Sequence, residues 1–188
     1  TDETVQAYNK AGSVIQQFTI PSSLKHFEAG TEEGTLRRQA ISMAINRENI
    51  CDKVLNGTGT PAVDFTSPLT PGYSDSLKGS ENLKYNEKKA KELWEKANAI
   101  SPWTSDDKLT FSYNADGGAK PIFEAVVNSV KNTLGIDVTT NPVPTFQEFR
   151  NDVTDRKMTG AFRTGWQPDY PSPENYLYQL YSSSAADG

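Results

Sequence analysis

Charged and aromatic side chains concentrate in one run: Arg163-Thr164-Gly165-Trp166-Gln167-Pro168-Asp169-Tyr170-Pro171-Ser172-Pro173-Glu174. A single carboxylate, Asp169, stands between two large rings, Trp166 and Tyr170, with the Arg163 guanidinium upstream. Pro168, Pro171 and Pro173 each fix a φ angle and reduce the freedom of the segment. A carboxylate on a stiff loop accepts several hydrogen bonds from an ammonium group, and flat apolar walls exclude the water that would weaken the pair. Arg163 supplies the complementary charge for a carboxylate elsewhere on the same ligand. The set suits a zwitterion such as a peptide. The same residues also permit a plainer arrangement, with Trp166 in the core and Asp169 capping a helix that starts near Pro173.

Other chemistries fare worse. One cysteine, Cys51, forms neither an internal disulfide nor a thiolate metal centre, and its place between Ile50 and Val54 reads as a small buried hydrophobe. One histidine, His26, excludes any mechanism that needs a histidine pair, and Ser23-Leu24-Lys25-His26-Phe27 reads as an exposed loop. The chain has no glycine-rich phosphate loop and no Gly-x-Ser-x-Gly elbow. Asp169 with Glu174 is the remaining hydrolase pair, but neighbours in one loop need not converge on one bond. The expectation is a binding module rather than an enzyme, with no catalytic residue, no metal and no cofactor. With 24 acidic and 19 basic residues the net charge is −5, which argues against a nucleic-acid partner. No apolar run reaches the roughly 18 to 20 residues of a membrane-spanning helix.

The elements that must position this loop follow from periodicity. Val14 to Ile20 is rich in β-branched residues and stops at Pro21, as a strand does. From Thr35, Leu36, Ala40, Ile41, Ala44 and Ile45 share one helical face, and Asn46 reads as the cap of a second short helix closed by Gly57 and Gly59. Residues 58–83 form a proline-punctuated excursion, too long to be a mere connection. A helix is expected from about Asn86, a strand over Lys108–Tyr113, a turn at Asn114–Gly118, and a helix from Pro121 ended by Gly135. Ile136–Thr139 reads as a strand, and Thr145 with Glu148 as a capping box. A strand over Gly160–Trp166 and a helix over Glu174–Tyr181 complete the series. Alternating strands and helices indicate an α/β lobe with a mainly parallel sheet. The chain starts at Thr1 without a signal-like segment and stops soon after an aromatic helix, so it is expected to be a piece of a longer protein.

Several stretches resemble the family 5 solute-binding proteins of ABC transporters, the peptide- and nickel-binding class. They are Leu36-Arg37-Arg38-Gln39-Ala40-Ile41-Ser42-Met43-Ala44-Ile45-Asn46-Arg47-Glu48-Asn49-Ile50, Asn56-Gly57-Thr58-Gly59-Thr60-Pro61-Ala62, Tyr85 to Leu93, Leu134-Gly135-Ile136-Asp137-Val138, and the Gly165 to Pro173 run. The resemblance spans roughly residues 14–181 and implies an α/β fold, a type II periplasmic-binding-protein-like lobe with a mixed, mainly parallel sheet flanked by helices. Residues 1–188 would be most of the C-terminal ligand-binding lobe of a two-lobed receptor, with the N-terminal lobe absent. The family implies a peptide ligand, a cognate ABC permease in the membrane, and an extracytoplasmic location, periplasmic or as a cell-surface lipoprotein. An oligosaccharide receptor is the alternative within the family, and nickel is disfavoured by the single histidine. By the same resemblance Asp169 meets the ligand's α-ammonium, Trp166 lines its cavity, and Arg163 and, more remotely, Arg156 meet its carboxylate. The sequence departs from the family pattern at Pro168, where a small residue is common and a backbone N–H is lost. Arg37, Arg38 and Arg47 in the helical signature are expected to solvate a helix face.

Overall fold

Strand-forming runs build one sheet. The structure, a computed structural model, describes residues 10–185. Within it β1 (Ile15–Thr19), β2 (Leu109–Asn114), β3 (Val138–Val143) and β4 (Ala161–Trp166) lie in the order β1-β4-β2-β3. β3 and β4 run parallel to β2, while β1 runs antiparallel to β4 and forms an edge. The sheet is therefore mixed and mainly parallel, as expected. The inner strand β2 buries Leu109, Phe111 and Tyr113 almost completely.

Helices cover the sheet through amphipathic faces. α1 (Glu32–Met43) packs along α3 (Glu87–Ile100), and α4 (Lys120–Leu134) connects β2 to β3. α5 (Phe146–Thr154) connects β3 back to β4, and α6 (Pro173–Tyr181) follows β4. The two crossovers step in opposite directions, so right-handed connections put α4 and α5 on opposite faces. Consistent with this, Phe123 of α4 belongs to the main core cluster and the buried Phe149 of α5 does not. Asn46 opens the short α2 (Arg47–Asn49), which runs into a π-helical turn over Ile50–Val54. The excursion after it is packed: Ser67 is fully buried and donates from Oγ to the Gly12 carbonyl at 2.7 Å.

Caps explain most boundaries. Asn46, Asn86 and Thr145 each accept a first-turn N–H, and Gly135 (φ 68°) ends α4 in the left-handed conformation. Two boundaries differ from expectation. α1 begins at Glu32, not Thr35, because Thr31 Oγ1 accepts from Gly34 N at 3.0 Å. β3 lies at Val138–Val143 rather than 136–139 and contains Pro142, which an edge strand tolerates.

The polar residues of the first half need a larger correction. His26 is 5% exposed, not on an open loop. Its Nδ1 lies 2.6 Å from Glu33 Oε1, its Nε2 lies 3.3 Å from Asp107 Oδ1, and its ring packs on Trp103. Arg37 is 0% exposed and does not solvate a helix face. Its Nε donates to Glu33 at 2.9 Å and its Nη2 to the Ser101 carbonyl at 2.7 Å, with the guanidinium 4.4 Å from the Trp94 ring. Arg38 donates to the carbonyls of Phe27, Ile20 and Pro21. Arg47 donates to those of Ser42 and Leu83, and burial pushes its pKa down to about 10. These arginines fasten irregular backbone onto helices, satisfying carbonyls that the fold would otherwise bury unpaired.

The first and last described segments are also joined. Tyr176 Oη donates to the Ser13 carbonyl at 2.7 Å, and Gln17 Nε2 donates to Tyr181 Oη at 2.9 Å.

Candidate functional site

β4 delivers the acidic loop to the carboxyl edge of the parallel strands, where open α/β sheets carry ligands. The loop is short because α6 restarts at Pro173, whose missing N–H is harmless in the first turn. The helix cap is Ser172, which accepts from Glu174 N at 3.2 Å, so Asp169 is not spent on capping. Asn175, 1% exposed, closes the loop from below. Its Oδ1 accepts from Trp166 Nε1 at 2.9 Å and from Asp169 N at 3.1 Å. Asp169 is thus held through its backbone, and the residue is exposed. Trp166 is half-buried, and Tyr170 is 45% exposed, with its hydroxyl 3.4 Å from Glu174 Oε2.

Arg163 occupies a different place. Three residues from Trp166 along a strand, it starts on the other face of the sheet. Its Nη1 reaches Asn114 Oδ1, at the carboxyl end of β2, at a long 3.4 Å. Its Nε is buried with no hydrogen-bond partner among the described residues. Asn114 is itself held, donating from Nδ2 to Asp116 Oδ1 at 2.7 Å. That bond, and next the Phe146 N–H on the other carboxylate oxygen, hold the Asp116 carboxyl below its ordinary range. A guanidinium bonded to a neutral amide and to no carboxylate keeps its charge available to an anion at this strand end.

The structure therefore gathers Trp166, Asp169 and Tyr170 on one loop and sets Arg163 apart at the neighbouring strand end. Arg156 is not brought to this loop. It lies in the turn after α5, with φ 56° and its N–H donating to the Val153 carbonyl. At about 3.3 Å per residue, β4 spans roughly 17 Å between that turn and the acidic loop. Sequence reasoning missed Asn175 and Asn114. The visible signals were an Asn beside the inward Tyr176 in a first helical turn, and an Asn closing a strand just before Ala115-Asp116-Gly117-Gly118.

A hollow of about 520 Å³ lies elsewhere, lined by Phe18, Ile45, Ile50, Leu55, Ile122 and Val126. None of the candidate residues lines it. The guanidiniums at its wall, Arg38 and Arg47, are already committed to backbone carbonyls. Among the described residues no group of three or more His, Cys, Asp or Glu is placed to hold a metal ion, and no helix is long and apolar enough to cross a membrane. Burial, then the Asp52 charge, push the Cys51 thiol up, away from the reactive thiolate.

Comparison with known proteins agrees with this architecture. The chain is 32% identical over 153 residues to the periplasmic oligopeptide-binding protein OppA of Salmonella typhimurium, covering 79% of this chain and 27% of that protein. It is 31% identical over 143 residues to the dipeptide-binding protein DppE of Bacillus subtilis, covering 74% and 26%. Its fold matches the solved structure of DppA from Helicobacter pylori in complex with the peptide STSA, with a TM-score of 0.76, 25% identity and coverage of 94% and 31%. The chain thus spans about a quarter of the length of these curated relatives. Residues 35–188 match the family described as bacterial extracellular solute-binding proteins, family 5, middle region, and the chain belongs to that family.

Proposed function

We propose that this chain supplies the lobe of an extracytoplasmic peptide receptor that grips the ligand's amino terminus. The observation that carries the reading is Asp169: exposed, on a proline-stiffened loop, pinned through its backbone N–H and flanked by Trp166 and Tyr170. A carboxylate fixed before the ligand arrives loses little freedom on binding an ammonium group, so more of the charge-assisted bond remains as affinity. Arg163, whose side chain bonds a neutral amide rather than a carboxylate, receives the carboxylate of short peptides. Arg156, at the far end of β4, takes no part. The relatives named above as oligopeptide- and dipeptide-binding proteins support a peptide ligand over a sugar. The rest of the polypeptide supplies the opposing lobe, and closure of the two over the ligand presents it to an ABC permease in the membrane. Binding without bond breaking is all that this chemistry requires.

Calorimetry on the full-length protein tests the reading, using short peptides with free and with acetylated amino termini and a panel of oligosaccharides. Free peptides should bind and acetylated ones bind weakly. Asp169→Asn should cost about 1.5–3 kcal/mol, or roughly 10- to 150-fold in Kd, for free peptides. Equal affinity for free and acetylated peptides would remove Asp169 from the ammonium site, and binding of sugars without peptides would overturn the peptide reading itself.

A further inference from the structure

We infer that Asn175 is the positioning residue of the acidic loop, locking the Trp166 indole and the Asp169 backbone into one fixed relation; its effect on affinity rests on the peptide reading above. Two N–H groups converge on one side-chain atom: Trp166 Nε1 at 2.9 Å and Asp169 N at 3.1 Å from Asn175 Oδ1. Only an acceptor can sit there, which fixes the orientation of the amide. The residue is 1% exposed, so both bonds form away from competing water. Asn175 is itself anchored, its backbone N–H donating to the Ser172 carbonyl at 3.1 Å in the first turn of α6.

The loop has few other ways to be held. Pro168, Pro171 and Pro173 have no N–H, and the Ser172 N–H closes a local turn on the Tyr170 carbonyl. The prolines limit the shapes available to the loop, while the Asn175 bonds fix it to the body of the lobe. A side chain that touches neither charge nor ring face of the ligand thereby sets the distance between the carboxylate and its aromatic wall.

The amide nitrogen makes the test clean. Asn175 Nδ2 is buried without a hydrogen-bond partner among the described residues, so Asn175→Asp loses no donor bond and keeps an acceptor for both N–H groups, while burial favours the neutral form of the carboxyl it introduces. Asn175→Leu has the same branched skeleton, with bulkier methyl ends, and no acceptor, and Asn175→Ala removes the acceptor without adding bulk. The first readout uses the 188-residue chain without ligand: the indole N–H resonance of Trp166, assigned through Trp166→Phe, and its exchange with solvent. It should shift and exchange at least about tenfold faster in Asn175→Leu, and stay close to wild type in Asn175→Asp. The second readout uses the full-length protein: the ratio of affinities for free and N-acetylated peptides. That ratio should fall at least about fivefold in Asn175→Leu and recover to within about threefold of wild type in Asn175→Asp. If Asn175→Leu does not fold, Asn175→Ala, which removes the acceptor and leaves the Trp166 ring in place, replaces it in both measurements. An unchanged indole proton without the acceptor overturns the lock. A changed indole proton with an unchanged ratio, in a protein that binds peptides, overturns its role in positioning. If the wild type binds no peptide, the peptide reading fails, and the indole proton alone decides whether the lock exists.

Discussion

Arg37 and His26 show how far single residues can depart from their usual surroundings. Both sit in a polar knot of Glu33, Asp107, Lys25, Ser101 and Asn98, closed by Trp94 and Trp103. A charge on a helical face ordinarily reads as solvated, and the knot forms only when the loop before α1 meets the far end of α3. The Glu33–Arg37 spacing was visible in the sequence; its convergence with two tryptophans more than fifty residues away was not. Asp107 carries a pH consequence. Its carboxylate accepts from Lys25 Nζ at 2.7 Å and from Thr104 N at 2.9 Å, and these bonds, Lys25 first, hold it well below the usual carboxylate range. A carboxyl with a depressed folded-state pKa stabilises fully above its unfolded value, about 3.9, and loses that contribution as pH falls further. Urea midpoints should therefore drop as the solution is acidified below about pH 4. Asp107→Asn should lower the midpoint at pH 7 and flatten that drop; a profile parallel to wild type would clear Asp107 of the effect.

At the scale of elements, period and caps were legible because each depends on neighbours in sequence. Asn46, Asn86, Thr145 and Gly135 mark their helix ends as expected. The limits of β3 were not, since Asn141 and Pro142 resemble a turn and are strand residues only because β2 pairs with them. Gly160 shows a similar tertiary demand at the start of β4. A Cβ there would lie 2.1 Å from Thr110 Oγ1 and 2.6 Å from the Thr110 carbonyl oxygen. Gly160→Ala should force β4 away from β2 and cost about 1–3 kcal/mol, a drop of several degrees in Tm. Adding Thr110→Ala should not restore the loss, because the backbone oxygen remains in the way. Full rescue by that second change would show that the side chain alone was the obstacle.

For the whole molecule, the acidic loop was legible and its mode of attachment was not. Trp166, Asp169 and Tyr170 share one stretch of sequence, whereas the remoteness of Arg156 and the separate perch of Arg163 emerge only when β4 is laid beside β2. With the loop facing water, an ammonium paired to Asp169 is well solvated, and such exposed pairs contribute only about 0–1 kcal/mol. The 188-residue chain by itself should therefore give no calorimetric signal with micromolar peptide, while the full-length protein does. Tight binding by this chain alone would show that an opposing lobe is unnecessary.

The bond between Tyr176 and the Ser13 carbonyl has a topological consequence. The backbone arrives and departs at one corner, so the order of the elements along the chain is separable from their arrangement in space. A circular permutant, joined across that corner by a short Gly/Ser linker and opened between the exposed Leu77 and Lys78, should melt as one cooperative unit in circular dichroism.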